Sequence, residues 1–294
     1  MIATPPYGDS GEDYRSSSTN LYDMLLRPAE HLLKEKRVLV VADASLRTLP
    51  FETLISDSRP HAGVRFAGQD FVFSYTSFQE FLAIAQRPRS PRPPPTRILI
   101  YADPVYDGRL PRLVSSRYEA MNIARLFPGK TSLLLGQAAT KRSIEDLDLS
   151  GYSVIHIAAH AVFNDEDTGE SGLVLSKEVH SSDDGLLTAT DVARLRLGAS
   201  TVVVLSGCAT GRATDGGVGL TNAFLGAGAR EVVGSLWPVN DFVVVDFMRK
   251  YYAGIKEGQS SSEALTSAKL EMIQSGTPYS HPYYWAPFVH VGAF

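Results

Sequence analysis

From residue 97 onward the chain repeats one pattern: a short apolar run, then a segment whose apolar residues recur at helical spacing. The runs are RILIYAD (97–103), YSVIHIAA (152–159), STVVVLS (200–206) and REVVGSL (230–236). Helical segments lie near 115–127, 140–148, 188–196, 217–229 and 241–256. Strands that alternate with helices pair in parallel, because each helix carries the chain back to the end where the next strand starts. The pattern predicts an α/β fold, a mostly parallel sheet covered by helices. No repeat of 34 residues or a similar period is found, so a helical solenoid is not contained within the chain.

The first third reads differently. A polar tail over 1–20, rich in Ser, Gly, Pro and Asp, holds too little apolar surface to order itself. LYDMLLRPAEHLLKEK (21–36) has helical spacing interrupted at Pro28, and RVLVVAD (37–43) and DFVFSYT (70–76) are strand-like. SFQE (77–80) is a capping box in which Ser77 and Glu80 satisfy the first free amides of a following helix. Next comes QRPRSPRPPPTR (86–97), with five prolines and four arginines, read as an extended, hydrated connection. The expected organisation is a tail over 1–20, a smaller half over 21–87, a linker over 88–96 and a larger half over 97–294.

Composition narrows the function classes. A net charge of −4 argues against a general nucleic-acid binder. No apolar run approaches the roughly 20 residues that span a bilayer, and the polar start lacks the regions of a signal peptide, so a cytoplasmic protein without a membrane partner is expected. One cysteine in 294 residues makes neither an internal disulfide nor a cysteine-cluster zinc site; it is a buried small hydrophobe or a reactive thiol.

That cysteine, Cys208, follows STVVVLSG, and His160 follows SVIHIAA. Both therefore sit just past the carboxyl ends of predicted strands, where α/β sheets gather ligands and catalytic groups. An imidazole beside a thiol accepts its proton or stabilises the thiolate, so the two make a nucleophile and base. His156, with apolar neighbours on both sides, reads as a core residue. NDEDTGE (164–170) lacks the alternation and closing glutamate of a calcium loop, and DGGVGL (215–220) lacks the Lys-Ser/Thr of a phosphate loop; both are read as loops beside the site. Trp237, at another strand end, fits core packing or a groove wall equally.

The blocks HIAAHAVFNDEDTGESGLVLS, DGLLTATDVARLRL, VVVLSGCATG, GVGLTNAFLGAGAREVVGSLWPVND and HPYYWAPFVHVG resemble, in order, those of the CHAT domain, a caspase- and separase-like family. The similarity extends to LYDMLLRPAEHLL, RVLVVADASLRTLPFETL and FVFSYTSFQEFLA, covering roughly 20–292. It implies a caspase-like three-layer α/β/α sandwich preceded by a smaller pseudo-protease half. By that resemblance the chain is a cysteine endopeptidase with Cys208 as nucleophile, His160 as general acid–base, and the backbone N–H groups of Cys208 and Ala161 as the oxyanion hole. Trp237 then walls the substrate groove, and Asp241 recognises a basic side chain or, as an alternative, caps the helix after it. The implied chemistry requires no metal or organic cofactor. The implied partners are a protein substrate and a sensor or repeat-containing regulatory domain. A second reading stands beside this one: a catalytically inactive caspase-like interaction module. Ala161 favours it, since relatives carry glycine there, and alanine keeps the N–H but loses easy access to positive φ.

Overall fold

Alternate residues of each central strand enter two separate cores. From Ile98 to Ala102, Ile98, Ile100 and Ala102 join one core while Leu99 and Tyr101 join the other; Val202 and Val204 are likewise parted from Val203 and Leu205. Successive side chains on a strand point to opposite faces, so a run that is apolar at every position needs cover on both sides. The outcome is the expected α/β/α sandwich with a mostly parallel sheet. It is seen in a computed structural model that describes residues 12–33, 36–42, 44–57, 63–85, 96–108, 110–162, 171–178, 183–207, 210 and 219–292.

The strands are β1 Arg37–Val41, β2 Ile55–Asp57, β3 Arg65–Phe66, β4 Val72–Thr76, β5 Ile98–Ala102, β6 Thr131–Leu135, β7 Val154–Ala158, β8 His160–Val162, β9 Gly172–Val174, β10 Leu186–Thr188, β11 Val202–Leu205, β12 Glu231–Ser235 and β13 Phe288–Gly292. The helices are α1 Glu12–Leu25, α2 Ala44–Arg47, α3 Phe78–Ala85, α4 Val114–Leu126, α5 Lys141–Asp146, α6 Ala189–Val192, α7 Leu220–Gly226, α8 Asp241–Lys256, α9 Ser261–Ile273 and α10 Pro282–Trp285. Among the described residues the main sheet runs β1-β4-β13-β12-β11-β7-β5-β6. Its pairings are parallel except that between β12 and β13. A small antiparallel sheet, β10-β9-β8, stands beside it. Buried residues of α1, α4, α8 and α9 fill the first core; those of α5, α6 and α7 fill the second.

Strands from both sides of the Pro/Arg-rich stretch share this sheet, with Val291 of β13 opposite Tyr75 of β4. The stretch itself, 86–95, lies outside the described residues. Residues 12–20, expected in the polar tail, belong to α1, and 1–11 lie outside the described residues. The helix is held by polar contacts that an apolar pattern does not show. Tyr14 OH and Ser18 Oγ donate to the Thr53 carbonyl at 2.8 and 3.0 Å, and Ser18 Oγ accepts from the Ile55 amide at 3.1 Å. Pro28 opens a 3₁₀ turn, Arg27–Leu32, at the predicted break. The Ser77–Glu80 capping box is formed at 3.0 and 3.2 Å. No helix among the described residues is long and apolar enough to cross a membrane.

Candidate functional site

β7 and β11 are parallel neighbours, with Leu205 opposite Ile157, so their carboxyl ends open on the same edge of the sheet. The Ser206 amide extends that ladder to the Ile157 carbonyl at 2.9 Å. A Cβ on Gly207 would fall inside contact distance of the Ala159 carbonyl, so only glycine lets the two strand ends approach this closely. Ser235 Oγ of β12 donates to the Gly207 carbonyl, tying a third strand end to the same point. Between these ends lies a narrow cleft that is partly open to solvent. Ala159, His160, Ser206 and Gly207 line it from the sheet. Leu113, Ser116 and Glu119 line it from around α4, and Val239, Asp241 and Val244 from around α8.

His160 is fixed by the segment between β5 and α4. Its Nε2–H donates to the Pro111 carbonyl at 2.8 Å, its backbone N–H donates to Tyr106 OH at 3.2 Å, and the two rings lie 5.0 Å apart. A carbonyl partner fixes the Nε2–H tautomer, making Nδ1 the acceptor in the neutral ring. Burial pushes the Tyr106 phenol well above its ordinary range, and the Asp103 and Asp241 carboxylates add to the shift. Ala161 lies in extended β8 opposite Leu173. Positive φ among described non-glycine residues occurs at Lys36, Asp103 and Asp107, so alanine meets no strain at 161.

The floor of the cleft holds two residues that motif reading passed over. Glu119 is 2% and Ser206 7% exposed. Among the described residues, Glu119 Oε1 and Ser206 Oγ have no hydrogen-bond partner. Glu119 Oε1 lies 3.0 Å from His156 Nε2 without the alignment of a hydrogen bond. The signal for Glu119 was present: it falls beside Ala120 and one turn before Ile123, on the buried face of α4. His156 is a core residue as read, with Nδ1 3.0 Å from Tyr252 OH.

At the start of α8, Asn240 is the cap: its Oδ1 accepts from the amides of Phe242 and Val243 at 3.1 and 3.3 Å. Asp241 is thereby free of that task and lines the cleft. Trp237, expected as a groove wall, is instead 6% exposed within the first core, its indole N–H donating to the Tyr283 carbonyl at 3.0 Å. The amide of Leu236 continues the pairing of β12 with the β13 side, bonding the Pro287 carbonyl, and this carries the next residue into packed surroundings. Cys208, residues 164–170 and residues 215–218 lie outside the described residues.

Residues 15–293 match the CHAT domain family. Tetratricopeptide repeat protein 28 of mouse and of human are 42% and 39% identical over 110 residues, which is 37% of this chain. The chain spans 4% of the length of these curated relatives. Among solved structures it is similar to the Arg-specific cysteine proteinase gingipain R, with a TM-score of 0.57, 11% identity, and coverage of 95% of this chain and 66% of that one. It is also similar to the separase of the Saccharomyces cerevisiae separase–securin complex, with a TM-score of 0.54, 15% identity, and coverage of 86% and 15%. The sandwich is therefore caspase-like, of the gingipain and separase kind.

The same findings correct the expectation of a cysteine endopeptidase. Identities of 11% and 15% carry the architecture and not the chemistry. Of the expected dyad, His160 has its Nε2–H engaged by the chain's own Pro111 carbonyl. The caspase-like interaction module is the better supported of the two readings.

Proposed function

The chain belongs to the CHAT domain family, and on that premise we propose that it is a catalytically inactive caspase-like module whose cleft receives a segment of a partner protein. One observation carries this reading: Ser206, which lines the cleft, has a buried hydroxyl with no hydrogen-bond partner among the described residues. A buried polar atom left unsatisfied costs about 1–3 kcal/mol, and a hydrogen-bond donor entering the cleft would relieve it. Asp241, not needed as a cap, adds negative charge at the rim, which supports a basic side chain as the entering group. His160 then belongs to the groove and not to a reaction centre.

A repeat-containing partner fits the similarity to tetratricopeptide repeat proteins, of which this chain would be one module. A cytoplasmic location fits a chain whose single cysteine allows no internal disulfide. The test is to incubate the full chain with a peptide library and to read both retention and cleavage by mass spectrometry. Retained peptides are expected to be enriched in Lys or Arg and to stay intact. Cleavage at a defined position would overturn the reading, and so would retention of acidic or purely apolar peptides.

A further inference from the structure

The segment that joins β5 to α4 is bent and clamped more firmly than a connection requires. Asp103, Asp107 and Gly108 all have positive φ, at 53°, 50° and 77°. That region is disfavoured for side-chain-bearing residues, and such a bend persists only where surrounding contacts over-determine it. The contacts converge on Asp103, which is 0% exposed. Arg112 donates to it through Nε at 2.8 Å and Nη2 at 2.7 Å, and Arg117 through Nε at 2.7 Å. The Asp103 amide donates to Ser116 Oγ at 2.8 Å, and Ser116 Oγ donates to the Leu113 carbonyl at 2.7 Å. Further along, the Val105 amide donates to Ser176 Oγ at 2.8 Å.

The clamped segment carries both groups that hold His160, namely Tyr106 and Pro111, and Arg112 directly follows Pro111. We propose that Asp103 is a positioning residue for the cleft: by gripping Arg112 and Arg117 it keeps the Pro111 carbonyl on the His160 Nε2–H and so withholds that donor from a bound segment. A partner's backbone carbonyl and the Pro111 carbonyl compete for one proton. Both arginines are partly exposed, with side-chain exposures of 60% and 44%. Water can therefore replace them, and the grip can be loosened without dismantling a core. This inference rests on the reading of the cleft as a binding site, but the state of His160 can be measured with no ligand present.

The experiment compares wild type with Asp103→Asn and with the double variant Arg112→Gln/Arg117→Gln, which release the clamp from opposite ends. Arg125→Gln, on the same helix and bonded only to Asn122 among the interactions described, is the control. Circular dichroism and urea titration establish folding, and ¹⁵N chemical shifts of the His160 ring report its tautomer. In wild type and control, Nε2 carries the proton. In each folded clamp variant the ring is expected to become a mixture of tautomers. Affinity for peptides retained in the library experiment is expected to rise by up to about tenfold, the equivalent of one regained hydrogen bond. Folded clamp variants with an unchanged His160 signal, or with weaker peptide binding, would overturn the proposal. A changed His160 signal with unchanged affinity upholds the positioning role and counts against the binding reading instead. Should one variant fail to fold, the other decides.

Discussion

Two buried carboxylates in this molecule are neutralised in opposite ways. Glu52, 3% exposed, meets Lys269 Nζ at 2.6 Å and accepts from Tyr75 OH; Lys269 is itself 3% exposed, and the trio joins the turn before β2 to α9 and β4. Asp103 is equally hidden, but its cations stand partly in water on one local segment. The first arrangement welds elements that lie far apart in sequence, and breaking it leaves a charge inside the protein. The second fixes a loop, and solvent can stand in for either arginine. Burial of a carboxylate therefore does not by itself reveal its role; the exposure of its partner separates a structural weld from an adjustable grip.

Removing the cation from each site tests that distinction, and the weld should respond most. Lys269→Ala strands the Glu52 carboxylate and is expected to lower unfolding free energy by roughly 3–5 kcal/mol in urea titration. The paired change Glu52→Gln/Lys269→Met should recover most of that loss, because what is removed is the stranded charge. If the single change cost under about 1 kcal/mol, the comparison would fail at its stronger end.

The grip should show itself in the acid limb of stability. Burial alone would raise the Asp103 carboxyl, but hydrogen bonds from Arg112 and Arg117 and their charge outweigh it and hold the group below the ordinary carboxylate range. A depressed folded value means the contribution is present above the unfolded value of about 3.9 and disappears as pH falls through the folded one. Asp103→Asn should therefore flatten the fall of Tm below about pH 4 relative to wild type, with the curves parallel between pH 6 and 8. Curves parallel throughout would show that the arginines do not stabilise the ionised carboxyl.

Smaller effects belong to the start of α8. Asn240→Ala removes the cap and is expected to cost about 1 kcal/mol by urea titration. Asp241→Asn should leave stability within about 0.5 kcal/mol while reducing the enrichment of basic peptides. Equal stability losses at the two positions would mean that capping is shared and would remove the reason for assigning Asp241 to the cleft.

What could be read from the sequence follows from how each element is held. ILIYA, VIHIA and VVVL announce themselves because both faces are apolar, and the strand-end rule sets His160 and Cys208 just past two carboxyl ends; His160 is described there, while Cys208 lies outside the described residues. The first turns of α1, residues 12–20, escaped because Tyr14 and Ser18 anchor them through hydrogen bonds to backbone, which leave no hydrophobic stripe. Strand β13 escaped as well: FVHVG is not among the runs read as strands, and its antiparallel place beside β12 is a tertiary choice. In the cleft, Asn240 and Asp241 are interchangeable as caps on paper, and the backbone chose the first. Asp103 before Pro104 looks like any turn residue until Arg112 and Arg117 fold back onto it.

The position of β13 also bears on how the protein is made. β4 ends at Thr76 and its neighbour begins at Phe288, so a growing polypeptide releases β1 and β4 long before the strand that joins them to β12 exists. Until then one side of that pair, and the matching side of β12, present unpaired backbone to the cell, a known template for wrong partners. Pairings this distant in sequence also slow the search for the native state. The segment that completes the sheet thus sets the interval during which those strand edges stay open.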